Sequence, residues 1–206
     1  MAFTPRFSLP PIADTPIWYR NGNWYYDNGY SPPTIGGNCT WYAYGRYSEV
    51  RNLWNGTTPV FANLSYRNAC YWFDEAVAAG FNCAVWDNNN PPSPQLGAIL
   101  CFKDAYDIVA HPGHVTVIEQ INNDGSIVVS NSGYPSSYFW TATVWRSNQY
   151  REAWYTQGGR AYYCQGIIYN VDNPPDPPTP PTPPVPPHGV TPTQMPFIYY
   201  LRRRKL

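Results

Sequence analysis

The chain reads as an α+β protein: helices in the first half of its body, an antiparallel sheet in the second, and an extended Pro-rich tail behind them. Three observations predict this. Two early stretches combine helix-start residues with apolar positions at helical spacing. Later apolar runs alternate in strand fashion around tight-turn residues. Beyond residue 170 proline dominates, in a chain of 206 residues with 24 Pro.

The elements follow in order. Residues 1–17 form a proline-rich, irregular arm. IWYRNGNWYYDNGY (17–30) predicts a β-hairpin, because aromatic runs flank Asn21-Gly22. SPPTIGG (31–37) breaks structure. Asn38 is placed to cap a helix from Cys39 to about Leu53. A second helix is expected over 65–80, with Ala69, Trp72, Phe73, Ala76 and Val77 on one face and Gly80 at its end. NNNPPSPQ (88–95) is a loop. Strands are expected at 97–102, 114–121, 126–131 and 161–170, the middle two joined by Asn122-Asn123-Asp124-Gly125. DNPPDPPTPPTPPVPP is a polyproline II spacer of ~3.1 Å per residue that cannot bury a core. MPFIYYLRRRKL, apolar and then basic, has the character of a docking peptide. The resulting division is 1–24, arm and start of the aromatic hairpin; 25–170, the folded body; 171–192, the linker; 193–206, the docking peptide.

Composition narrows the function. Hydrophobic residues reach 43%, aromatic residues 17% and charged residues 13%. A surface that is polar without being charged suits uncharged polymers such as glycans or peptides. Net charge is zero, but Arg202, Arg203, Arg204 and Lys205 hold four of the 13 basic residues. The body is therefore mildly acidic, and a nucleic-acid partner, which would ask for a basic face on the fold, is not expected. The N-terminus carries prolines where the apolar core of a secretion signal would run. No stretch approaches the ~20 apolar residues of a membrane span. The expectation is therefore synthesis in a cytoplasm without export by the general secretory route.

Five cysteines, Cys39, Cys70, Cys83, Cys101 and Cys164, include no CxxC pair, which argues against zinc and thioredoxin-type sites. Four read as small buried hydrophobes, with a Cys70–Cys83 disulfide left open. Cys39 differs. With Asn38 as cap, its thiol sits at a helix N-terminus, where backbone N–H groups and the helix dipole favour the thiolate. That placement suits a nucleophile.

A thiol nucleophile needs a base. Of the three histidines, His188 lies in the Pro-rich tail and His111 in a loop. His114 opens an apolar strand that can hold it rigidly, and is the better candidate. With a two- or four-residue hairpin loop, Asn131 shares the face of His114 and Glu119 takes the opposite one. A four-residue loop makes Asn131 the diagonal neighbour of His114. An Asn carbonyl there can accept the Nδ1–H and fix the tautomer, as in Cys-His-Asn hydrolases. A three-residue loop would favour Ser130 instead, and Glu119 and Asp107 are fallback orienters.

Two blocks, GGNCTWYAYGR (36–46) and HPGHVTVIEQINNDGSIVVSNSGY (111–134), resemble the signature blocks of the CHAP family, the cysteine, histidine-dependent amidohydrolases/peptidases of peptidoglycan. Cys39-Thr40-Trp41-Tyr42-Ala43 matches the first, and Gly113-His114-Val115 with Asp124-Gly125 the second. Weaker matches run through Asn68-Ala69, Trp72, Ala76–Gly80, Pro94, Gly97–Ile99 and Cys164–Tyr169, so the likeness spans roughly residues 25–170. The resemblance implies a papain-like α+β fold with Cys39 as nucleophile and His114 as base. Ser130-Asn131-Ser132-Gly133 departs from the Ser-Glu-x-Asn common in the family, and leaves Asn131 to orient the histidine.

The resemblance also implies cleavage of a wall amide by an N-acetylmuramoyl-L-alanine amidase or endopeptidase. The oxyanion would rest on the helix start at Asn38 and Cys39. No metal or other cofactor is required; some relatives bind calcium, but no Asp-x-Asp loop stands here. Trp41, Trp86 and Tyr134 are candidate groove residues, and Trp18, Trp24, Tyr25 and Trp140 are further aromatics within reach of that role. The setting implied is a bacteriophage lysin carried on the virion tail and tethered through the C-terminal tail to tail proteins. The alternatives are a free endolysin, present in the host cytoplasm before lysis, and a non-catalytic wall-binding or tail-structural module.

Overall fold

The computed structural model describes residues 3–9, 16–32, 37–104, 112–133, 137–150, 156–157 and 160–170. The predicted polyproline linker and docking peptide lie outside these residues.

The first departure from expectation is at 17–30. In place of a β-hairpin there is a 3-10 turn, Ile17–Tyr19, followed by a short helix α1, Trp24–Asp27. Asn23 decides this. Its side-chain oxygen accepts from the Tyr25 amide, an N-cap. Its amide nitrogen donates to the carbonyls of Trp18 at 3.0 Å and Trp41 at 3.1 Å. The tight turn forms, but it joins two helical turns because the Asn that could have served a hairpin serves as a cap.

Helix α2 runs Cys39–Arg51 and stops at Asn52, which adopts the left-handed conformation. Thr40 through Ser48 are all buried, so the helix is enclosed on every side rather than amphipathic. Gly45 lets the 3-10 turn dock against it: a Cβ there would fall 2.6 Å from the Trp18 carbonyl oxygen. A small hairpin follows, β1 (Trp54–Asn55) with β2 (Thr58–Pro59).

The second predicted helix is shorter than expected. A 3-10 turn at Ala69–Tyr71 leads into α3, Trp72–Ala78. Residues 65–68 stay outside it, because the Tyr25 hydroxyl bonds the Ser65 and Arg67 carbonyls, both at 2.9 Å. Ala69, Trp72, Phe73 and Ala76 are buried as expected, whereas Val77 is 51% exposed.

A six-stranded antiparallel sheet forms the floor. Its strands are β3 (Cys83–Val85), β4 (Ile99–Lys103), β5 (His114–Ile121), β6 (Ser126–Gly133), β7 (Ser137–Trp145) and β10 (Tyr163–Ile168). Their order is β3-β10-β4-β5-β6-β7. Two short strands, β8 (Thr156–Gln157) and β9 (Arg160–Ala161), pair apart from it. Strand alternation sends Ile99, Cys101, Val115 and Val117 into the core beneath α2. Leu100, Phe102, Ile118, Ile127 and Val129 go into a second core on the opposite face. All five cysteines are free thiols, so Cys70 and Cys83 form no disulfide. Among the described residues no helix is long and apolar enough to cross a membrane.

Candidate active site

The site lies where two strands part. The ladder between β5 and β6 runs from Ile121–Ile127 to Val117–Ser130 and stops. Each strand continues against its other neighbour, β5 to Phe102–His114 and β6 to Asn131–Trp140 and Gly133–Ser137. The start of α2 enters this fork. The Asn38 amide donates to Ser132 Oγ on β6 at 3.1 Å. The Cys39 thiol accepts from the Val115 amide of β5, next in sequence to His114.

Asn38 is the cap that the sequence predicts. Its Oδ1 accepts from the amides of Thr40 at 2.8 Å and Trp41 at 3.4 Å. The first helical bond runs from the Tyr42 amide to the Asn38 carbonyl. Cys39 is therefore the first residue of the helix.

His114 is positioned from behind by Gly113 and Pro112. The Cys70 amide donates to the Pro112 carbonyl at 2.8 Å. Gly113 has φ +82°, and a Cβ there would lie 2.6 Å from Cys70 N and Phe102 O. No other residue fits that approach without displacing backbone. His111 and Asp107 lie outside the described residues.

His114 and Asn131 meet across the fork, Nε2 to Oδ1 at 3.1 Å. The Asn131 amide nitrogen faces the Val129 carbonyl at 3.5 Å, which turns its oxygen toward the imidazole. The oxygen can only accept, so Nε2 carries the proton and Nδ1 the lone pair. The bond expected at Nδ1 is made by Nε2, so the ring is turned the other way. Facing pairs next to the site sum to 247, the four-residue-loop register. A bulge between Ile118 and Gln120 shifts the pairing only at the hairpin end.

Glu119 and Ser130 face α2 instead. The Glu119 carboxylate takes two bonds from the Arg46 guanidinium, at 2.9 and 2.7 Å, and one from Ser130 Oγ at 2.7 Å. Both brace the side of the ribbon opposite His114.

Burial sets the protonation states. It pushes the Cys39 thiol up to about 11, although the amides of Val115, Thr40 and Cys39 itself pull the other way. It also pushes the His114 imidazole down to about 3 against the upward pull of Asn131. The partly ionised thiol expected of a helix N-terminus is not found: desolvation of the charged form outweighs the helix-start amides.

The aromatic candidates divide. Trp41 is 1% exposed and its indole N–H donates to the Tyr19 carbonyl at 3.0 Å, so it is core rather than groove. Trp86 follows edge strand β3, at the far side of the sheet, and packs edge-on to Tyr150; it is not near the fork. Tyr134 lies outside the described residues. Trp140 was only one of several aromatics in the sequence, because β7 carries no tight-turn signal that would announce it. It lies opposite Asn131 and its ring stacks on His114, centroids 6.3 Å apart. Among the described residues no three His, Cys, Asp or Glu side chains converge to hold a metal ion.

The chain is 28% identical over 136 residues to N-acetylmuramoyl-L-alanine amidase sle1 of Staphylococcus aureus, in strains USA300 and NCTC 8325 alike, covering 61% of this chain and 35% of those proteins. A crystal structure of an N-acetylmuramoyl-L-alanine amidase from Staphylococcus aureus aligns with 66% of this chain and 32% of its own, at 25% identity and a TM-score of 0.37. The chain thus spans about a third of the length of these relatives. A family model for the CHAP domain matches residues 25–133, more than half of the sequence and the part that holds Cys39, His114 and Asn131; the chain belongs to the CHAP domain family.

Proposed function

We propose that this chain is a cysteine amidohydrolase of bacterial peptidoglycan. The observation that carries the reading is the fork, where the Cys39 thiol meets the Val115 amide beside the His114–Asn131 pair. Asn131 keeps Nε2 protonated, so Nδ1 receives the thiol proton as sulfur attacks an amide carbonyl. Both groups are neutral at rest, so proton transfer accompanies attack instead of preceding it. The Cys39 amide at the helix start donates to the oxyanion. The imidazolium then protonates the leaving amine, and water, deprotonated by His114, cleaves the thioester. Trp140 covers the imidazole and limits its hydration. The papain-like arrangement of a cysteine helix on a histidine-bearing sheet fits this sequence of steps, and no step calls on a metal.

The test is digestion of purified peptidoglycan by the wild type and by Cys39→Ala, with products read by mass spectrometry. Fragments from the wild type alone are expected, and their new termini separate an N-acetylmuramoyl-L-alanine amidase from an endopeptidase. No fragments from several wall types would sink the reading.

For the biological setting we propose a lysin carried on a bacteriophage tail, with the Pro-rich segment 171–192 as spacer and 193–206 as the peptide that docks on tail proteins. Composition supports this: a Pro-rich segment is followed by an apolar and then basic one. Truncation after Asn170 is expected to spare hydrolysis and abolish incorporation into virions. Loss of wall affinity instead would point to a free endolysin.

A further inference from the structure

Helix α1 is fastened to the first turn of α2, next to the nucleophile. Asn23 donates to the Trp41 carbonyl, and the Tyr25 hydroxyl is hydrogen-bonded to the Thr40 side chain. Trp24 lies between these two anchors and is half-buried. Its ring is nearly parallel to Tyr30, at 6.0 Å and 9°, and to Tyr66, at 5.1 Å and 24°. Tyr30 is 50% and Tyr66 44% exposed. From Tyr66 the ring contacts continue through Tyr44 and Phe61 to Trp18, whose neighbour Trp54 is 47% exposed. Unbroken ring-to-ring contact thus joins Tyr30, just after α1, to Trp54 on the β1–β2 hairpin.

Folding alone does not ask for this. Exposed aromatic rings cost hydration, and a core can be closed without three of them reaching solvent. A band of Trp and Tyr offers apolar faces together with hydroxyl and indole N–H groups. The C–H faces of pyranose rings stack on such faces while their hydroxyls and acetamido groups find polar partners at the rims. A stem peptide, by contrast, would call for backbone-like donors and acceptors in a row.

We propose that the Tyr30–Trp24–Tyr66 platform, continued to Trp54, is a saccharide-stacking subsite that holds the glycan strand of peptidoglycan beside Cys39. The inference rests on peptidoglycan being the substrate, and it adds which half of that polymer this face takes. A scissile amide reaching the fork then has its sugar side on the α1 surface.

The test is binding, uncoupled from turnover. Full-length Cys39→Ala protein is titrated with peptide-free glycan strands and, separately, with sugar-free stem peptides, and intrinsic Trp fluorescence is followed. Glycan strands are expected to bind and shift the emission. Adding Tyr30→Ala and Tyr66→Ala should weaken that binding at least tenfold, and Trp54→Ala by less, because it lies at the far end. Tyr66→Trp should retain binding, and Trp145→Ala, at the end of β7, should not change it. Circular dichroism on each variant separates lost stacking from lost fold. Glycan binding unchanged in the double variant overturns the proposal, as does loss of peptide binding in its place. Wall digestion by the wild type without glycan binding would overturn it and leave the hydrolase reading intact; glycan binding without digestion would do the reverse.

Discussion

The β5–β6 ribbon buries polar groups on both faces, in opposite states. Toward α2, Glu119 is 0% exposed and ion-paired. Burial pulls the Arg46 guanidinium down, but the hydrogen bonds and charge of Glu119 raise it on balance. The N-terminal arm adds to the same cluster: the Arg6 amide donates to Glu119 at 2.8 Å, the Thr4 carbonyl accepts from Arg46 at 2.7 Å, and Arg6 pairs with Glu49. Tyr42 closes it, donating to Ser130 Oγ at 2.7 Å. On the other face His114 and Asn131 are buried as well, but there the imidazole meets a neutral amide, and burial keeps it uncharged. Charge persists in this interior where a counter-charge meets it. At the fork the amide of Asn131 stands where a carboxylate would have held an imidazolium. The first face fixes the ribbon; the second leaves His114 neutral, the resting state that the proposed mechanism starts from.

Removing the reactive side should produce the largest effect. His114→Ala is expected to lower wall hydrolysis by about a thousandfold, within the range of a lost general base. Its melting temperature should fall less than that of Arg46→Ala, because a neutral ring with one hydrogen bond is removed and no buried charge is left unpaired. A matching loss of stability would mean that His114 serves the fold as Glu119 does.

Breaking the bracing side should do the opposite. Arg46→Ala leaves the Glu119 carboxylate buried without its bidentate partner and should cost about 3–5 kcal/mol in urea unfolding. Replacing both together, Arg46→Met with Glu119→Leu, should recover most of that. Failure to recover would show that the hydrogen bonds to Thr4, Arg6 and Ser130 matter more than the ion pair.

Acid sharpens the contrast. The His114 pKa is lowered from 6.5 to about 3 by burial, so its unfolded form takes up a proton first as pH falls. The stability tied to the neutral imidazole is complete above about pH 6.5 and declines from there toward pH 3. By pH 5 the loss is on the order of 2 kcal/mol. His114→Ala should flatten that part of the stability–pH curve, measured by urea midpoints from pH 7 to pH 4.

Much of this was legible because it depends on short-range signals. Asn38-Cys39 announced a capped helix, and Asn122–Gly125 fixed a hairpin whose parity placed Asn131 with His114 and Glu119 opposite. What escaped depends on distant partners. Asn23 could serve a hairpin or a cap, and the Trp41 carbonyl 18 residues on decides between them. Tyr25 strips residues 65–68 from the second helix in the same way. The raised pKa of the half-buried Cys39 thiol follows from desolvation at the fork, which no local pattern records. Trp140 is an aromatic among many until β7 sets it across from Asn131.

The smallest predicted effect separates the cap from the chemistry. Asn38→Ala removes the acceptor of the Thr40 and Trp41 amides and should cost about 1 kcal/mol. Its backbone bond to Ser132 is kept, so α2 stays in the fork and hydrolysis should fall less than with any change at His114. Asn38→Asp restores the acceptor and favours the positive end of the helix dipole, so stability should return. The same carboxylate stands beside the Cys39 thiol, and like charge disfavours a thiolate. Stability and rate should therefore part: Asn38→Asp should melt like the wild type but turn over more slowly, with the shortfall growing as salt is lowered. If rate returns together with stability, the charge on sulfur is not developing next to the cap, and the attack geometry at the helix start is wrong.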